Sequence, residues 1–158
     1  MVVRIMGDIT FEAFKEFCEQ VDECLAEEIF VELASNGGDP AAGIAFATKM
    51  QSLSNKKFDI TVYGAASSAA SLILAAGDYR KMQKDAQVLL HEEALEFDGR
   101  ITSFEKEARM ARKSEDVWNN LLEQYTGTDA KTWEKIHRDE ALLSAEECLA
   151  LGLIDEVV

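Results

Sequence analysis

Three short stretches of this 158-residue chain hold residue types that do covalent chemistry. In 64-GAASSAASLILAAGD-78, Ser67 and Ser68 stand where an extended run hands over to an apolar helical one. In 34-ASNGGDP-40 the pair Gly37-Gly38 follows another extended run, and in 86-AQVLL-90 a third such run stops at His91. A serine in the first turn of a helix lies beside backbone N–H groups without acceptors, at the positive end of the dipole, a setting that holds a developing oxyanion. Ala65, Ala66, Ala69 and Ala70 leave room for a carbonyl to reach the backbone, and a Gly-Gly loop offers a second N–H for the same reason. Serine needs a base to act as a nucleophile. Of the two histidines, His91 is the first candidate, and an acid would then have to fix its tautomer. Residue types alone leave open whether either serine does chemistry or only packs and caps.

The surrounding pattern supplies elements that bring these stretches together. Strands are expected at 2–6, 29–33, 58–63, 79–82 and 86–90. Helices are expected at about 10–25, with Phe11, Phe14, Phe17, Cys18, Val21 and Leu25 on one stripe, at about 40–53, and over the quoted run to Gly77. Three strand-then-helix units in succession predict parallel strands, right-handed crossovers and an α/β fold in one domain, 1–158. In such sheets, sites form at the carboxyl ends of strands. Gly38, Ser68 and His91 all fall there. A long helix is expected at about 101–126, with Ile101, Phe104, Ala108, Ala111, Trp118, Leu122 and Tyr125 at helical spacing. At about 37 Å it exceeds what so small a core covers, which predicts packing on another subunit. The run 134-EKIHRDE-140 reads as a charged loop, Ser144 with Glu147 as a capping box, and 153-LIDEVV-158 as a last strand.

Composition narrows the classes. The chain is 47% hydrophobic with no apolar run near the ~20 residues that span a bilayer. A formal charge of −14 disfavours nucleic acid and anionic membrane surfaces as partners. Cys18, Cys24 and Cys148 fit neither a disulfide framework nor a zinc site, and the first residues do not resemble a secretory signal. A reducing cytoplasm is the expected home.

The segments 33-LASNGGDPAAG-43, 62-VYGAASSAASLILAAGD-78, 86-AQVLLHEE-93 and 142-LLSAEECLALGLIDEVV-158 together resemble the Clp protease proteolytic-subunit family (ClpP, peptidase S14-like) over nearly the whole chain. The form Ser-Ala-Ala-Ser with Ala-Gly-Asp resembles the ClpP-related head maturation proteases of tailed phages and prophages. The resemblance implies a crotonase-like spiral α/β fold whose long helix is the handle through which rings of subunits associate. It makes Ser68 the nucleophile, with Ser67 where the family has a small residue. It makes His91 the general base and the N–H groups of Gly38 and Ala69 the oxyanion hole. The triad acid falls on Glu140, or on Asp139 with a shift of one residue. His137 lies beside these acids without an implied role.

Three departures from the pattern bear on function. The chain begins at its first strand, without the segment that forms axial pore loops, so an unfoldase ATPase partner is not expected. Asn36 stands where proline is common. Glu92 and Glu93 follow His91, and two adjacent carboxylates would raise the pKa of its imidazole. The expected activity is peptide-bond hydrolysis without metal or organic cofactor, on peptide or protein substrates, in a homo-oligomer. Two other readings compete with it. An acyl-CoA enzyme of the crotonase type would leave Ser68 and His91 idle and lacks a basic cluster for the nucleotide phosphates. A non-catalytic assembly protein would keep the fold alone.

Overall fold

The computed structural model describes residues 1–92 and 98–158. Its elements run β1 (Val2–Met6), α1 (Phe11–Glu23), β2 (Glu28–Ser35), α2 (Pro40–Ser52), β3 (Lys57–Ala66), α3 (Ala69–Ala75), β4 (Tyr79–Met82) and β5 (Gln87–Leu89). After these come α4 (Ile101–Thr126), α5 (Ala130–Arg138), β6 (Leu142–Ser144), α6 (Ala145–Ala150) and β7 (Glu156–Val157). Strands β1, β2, β3, β4 and β7 form a parallel sheet in that order, as the repeated strand-then-helix pattern predicts. Burial alternates along β1 and β2, so Val3, Ile5, Ile29, Val31 and Leu33 enter the core while Val2 and Phe30 face outward. That period of two marks a sheet with one packed face. Phe14, Phe17 and Phe46 fill the covered face, Phe17 and Phe46 with ring centroids 5.1 Å apart, and Phe17 reaches Phe58 of β3. None of the described helices is long and apolar enough to cross a membrane.

Strand β3 belongs to two sheets, and this places the site. Residues 59–62 pair with β4. The chain then bends through Gly64 at φ 73°, and Ala65 pairs with Gln87 of β5, which pairs antiparallel with β6. Strand β6 escapes the sequence pattern because three residues are too few for alternation to show. The segment expected to be a charged loop is helical from Ala130 to Arg138. Asp129 caps it by accepting from the Thr132 N–H, and fully buried Trp133 anchors it, donating from Nε1 to Thr126 Oγ1 at 3.1 Å. The C-terminal strand is shorter than expected, Glu156–Val157.

The end of the chain is fastened by an ion pair. Asp155 accepts from the Arg80 backbone N–H at 2.8 Å and from its guanidinium at 2.9 and 2.7 Å, while its own N–H donates to the Arg80 carbonyl. These bonds from Arg80 hold the Asp155 carboxyl below the usual carboxylate range. A depressed folded-state pKa contributes stability that is fully present above the unfolded value, ~3.9, and is lost as pH falls through the folded one. Asp155→Asn should therefore lower neutral-pH stability by roughly 1–2 kcal/mol and remove part of the loss on acidification, read from urea midpoints at neutral and acid pH.

Candidate active site

The turn between β3 and α3 is strained at one residue. Ser68 has φ 47° and ψ −123°, a conformation that costs a non-glycine residue about 1–3 kcal/mol and persists only where its surroundings enforce it. The enforcement is visible on both sides. The Ser68 N–H donates to the Leu89 carbonyl at 2.8 Å, and its own carbonyl accepts from the Ser71 N–H and Oγ at 2.9 and 2.7 Å. All seven residues of α3 are buried, which fixes the helix that follows. The Ser68 side chain makes no capping bond of its own.

Ser67 has a different occupation. It is 6% exposed, its N–H donates to Ser35, and its Oγ accepts from the Leu89 N–H at 2.8 Å. Its hydroxyl ties β5 to the end of β3.

The glycine loop lies against the same turn. A Cβ on Gly37 would stand 2.7 Å from the Ser68 Cβ and 3.2 Å from the Ala69 nitrogen. At Gly38, with φ 153°, a Cβ would fall 2.3 Å from the Ile9 carbonyl oxygen. The bridge between Ile9 and Gly38 uses the Ile9 N–H on Gly37 and the Asp39 N–H on Ile9, at 2.9 and 2.8 Å, and leaves the Gly38 N–H outside the pair. Ala69 opens α3, so its N–H is among those with no acceptor inside the helix. Two N–H groups free of strand and helix bonding therefore lie on the residue after Ser68 and on the loop packed against its turn.

Gly38, Ser68 and His91 line one cavity of about 160 Å³. His91 is exposed, and its Nδ1 lies 2.8 Å from the Glu92 carbonyl. With the proton on Nδ1 donating to that oxygen, Nε2 is the acceptor, which is the form a general base requires. The Glu92 carboxylate turns to Arg112 at 3.3 Å. Glu93 lies outside the described residues. Asp139 and Glu140 are both exposed, do not line the cavity and are not hydrogen-bonded to His91. Asp139 pairs with Lys135. Glu140 occupies a left-handed position, φ 48°, where the chain turns from α5 into β6.

Most of the remaining wall comes from α2, α4 and α5, including Pro40 and Ile44, Trp118 and Asn119, and Glu134 and His137. Periodicity places Trp118 on the packed stripe of a helix, but which cavity that stripe closes depends on how α4 and α5 fold back. His137 reaches the wall because 130–138 is helical. Its Nδ1 lies 2.8 Å from the Trp133 carbonyl one turn earlier. Burial pushes its pKa down, the bond to Trp133 opposes this, His91 lowers it further and Glu92 raises it. Burial also pushes the Cys148 thiol up to about 12, which leaves it inert.

A neutral His137 is thus favoured by the fold. Between its depressed folded value and the unfolded ~6.5, the unfolded chain binds the extra proton, so this contribution is present above ~6.5 and lost as pH falls below it. His137→Gln should flatten the fall in urea midpoint across that window. An unchanged pH dependence would show that His137 titrates alike in both states.

With this geometry in place, one comparison bears on kinship: the sequence model of the Clp protease family matches residues 3–158, from β1 through the last strand.

Proposed function

Because the chain belongs to the Clp protease family, we propose that it is a serine endopeptidase with Ser68 as nucleophile. The observation that carries the reading is the strained turn at Ser68, packed against the Gly37-Gly38 loop and opening into a cavity lined also by Gly38 and His91. Ser68 Oγ attacks the scissile carbonyl while His91 Nε2 takes its proton and returns it to the leaving amine. The Gly38 and Ala69 N–H groups hold the tetrahedral oxyanion, the charge that develops only as the bond forms.

The acid comes from the turn after α5. His91 is oriented by the Glu92 carbonyl in the described chain, and Glu140 or Asp139 takes over that task when the turn closes towards it. A carboxylate there would stabilise the imidazolium of the transition state better than a carbonyl does. The exposed half of α4, with Ile101 78% and Met110 58% exposed, supports a ring of subunits packed through that helix. The substrates are peptides or proteins. A capsid-maturation role rests on the Ser-Ala-Ala-Ser and Ala-Gly-Asp resemblance.

Intact-mass measurement after fluorophosphonate treatment tests the nucleophile. The native protein and Ser67→Ala should each take one adduct, and Ser68→Ala none. Ser67→Ala should also lose about 1 kcal/mol of stability, because the part-buried Leu89 N–H loses its acceptor. A folded native protein that takes no adduct on either side of neutral pH would leave the assembly reading in possession.

A further inference from the structure

His91 is fastened differently on its two sides. Before it, bonds to the backbone fix the strand: Leu89 is tied to Ser67 and Ser68, and the Leu90 N–H donates to the Ala141 carbonyl at 3.0 Å. After it, the fastening is an ion pair between side chains. The Glu92 carboxylate accepts from Arg112 Nη1 of α4 at 3.3 Å, its partner among the described residues. The same Nη1 donates to Glu115 at 3.2 Å, three residues along the helix.

The imidazole depends on that ion pair through the backbone. His91 Nδ1 lies 2.8 Å from the Glu92 carbonyl. The direction of a carbonyl is set by the backbone angles of its own residue, so this bond lasts only while Glu92 is held in place. Beside a freely moving Glu92 an exposed imidazole would exchange the carbonyl for water and share its proton between both nitrogens. Glu92 thus has two tasks, its carboxylate gripping the long helix and its carbonyl gripping the ring. Resting on the serine-peptidase reading, we propose that Arg112 is a positioning residue for His91: by holding Glu92 it keeps the imidazole proton on Nδ1 and leaves Nε2 free to accept the proton of Ser68.

The size of the effect follows from exposure. Arg112 is 63% and Glu92 36% exposed, so the pair is modest in strength and weakens with salt. Glu115 is less exposed, 23%, and steadies the guanidinium on α4 from the other side. A modest bias still reaches the rate, because only a ring with a bare Nε2 can act as the base.

The test follows two readouts, the imidazole nitrogen shifts by NMR and the rate of the fluorophosphonate adduct. The chain has two histidines, so His137→Gln identifies the signals of His91. At a pH where the ring is neutral, native His91 should carry its proton on Nδ1. Arg112→Gln should move it to the mixture of a free imidazole and slow the adduct about two- to fivefold, the range open to an exposed pair. Arg112→Lys should restore both readouts. Salt should slow the native protein towards the Arg112→Gln rate and leave that variant unchanged. Glu92→Gln should match Arg112→Gln, and the double substitution should add nothing to either. A role in helix stability alone would lower the urea midpoint of Arg112→Gln and leave the proton in place. A proton still fixed on Nδ1 in Arg112→Gln, or additive effects of the two substitutions, would overturn the proposal. The nitrogen shifts do not depend on a reactive serine, so a native protein that takes no adduct would count against the peptidase reading while the tautomer still decides the role of Arg112.

Discussion

An added Cβ at Gly37 would stand 2.7 Å from that of Ser68, and one at Gly38 would stand 2.3 Å from the Ile9 carbonyl oxygen. The loop after β2 can therefore lie against the turn after β3 only because neither residue carries a side chain. That close approach sets the Gly37-Gly38 loop against Ser68 and the first residue of α3. The division of β3 between two sheets follows the same geometry, since its last residues must leave β4 to meet β5 below His91. The strain at Ser68 is held by this packing, by the buried helix α3 and by the bond to Leu89, with no contribution from its own hydroxyl.

Much of this was legible from residue types. The short β-branched run at 29–33 and the extended run at 58–63 placed strands β2 and β3, Asn-Gly-Gly followed by Asp-Pro placed the turn into α2, and the alanine-rich run placed α3. These are local signals, each read over a few residues. Helix α5 was hidden because its apolar content is concentrated in Trp133 and Ile136, and a charged surface helix of nine residues resembles a loop in composition. The cavity wall was hidden for another reason. Trp118, Asn119, Glu134 and His137 meet Ser68 only through the fold-back of α4 and α5, a contact between distant parts of the chain that no periodicity records. The acid that the family resemblance implies stays divided between Asp139 and Glu140 because adjacent acids carry the same signal, and in the structure both face solvent.

The long helix α4 divides its roles along its length. Its only buried residues among those described are Asn119 and Leu122, both near its C-terminal end, where it packs on α3 and α5. Towards its other end Ile101, which heads the apolar stripe read from the sequence, is exposed, as is Met110. A stripe of that kind is favourable only when something covers it. The same helix thus closes the cavity with one end and presents exposed apolar side chains with the other.

The two bonds joining Ser67-Ser68 to Leu89 have a dynamic meaning. Leu89 gives its N–H to the Ser67 hydroxyl and its carbonyl to the Ser68 N–H, and His91 follows two residues later. The serine turn and the strand leading to the histidine are consequently one cooperative opening unit, and neither can swing out of place without breaking the pair of bonds that holds the other. Amide protons on both segments should share one opening free energy. The spacing between the two candidate reacting groups is in that sense a thermodynamic property of the sheet rather than of the side chains.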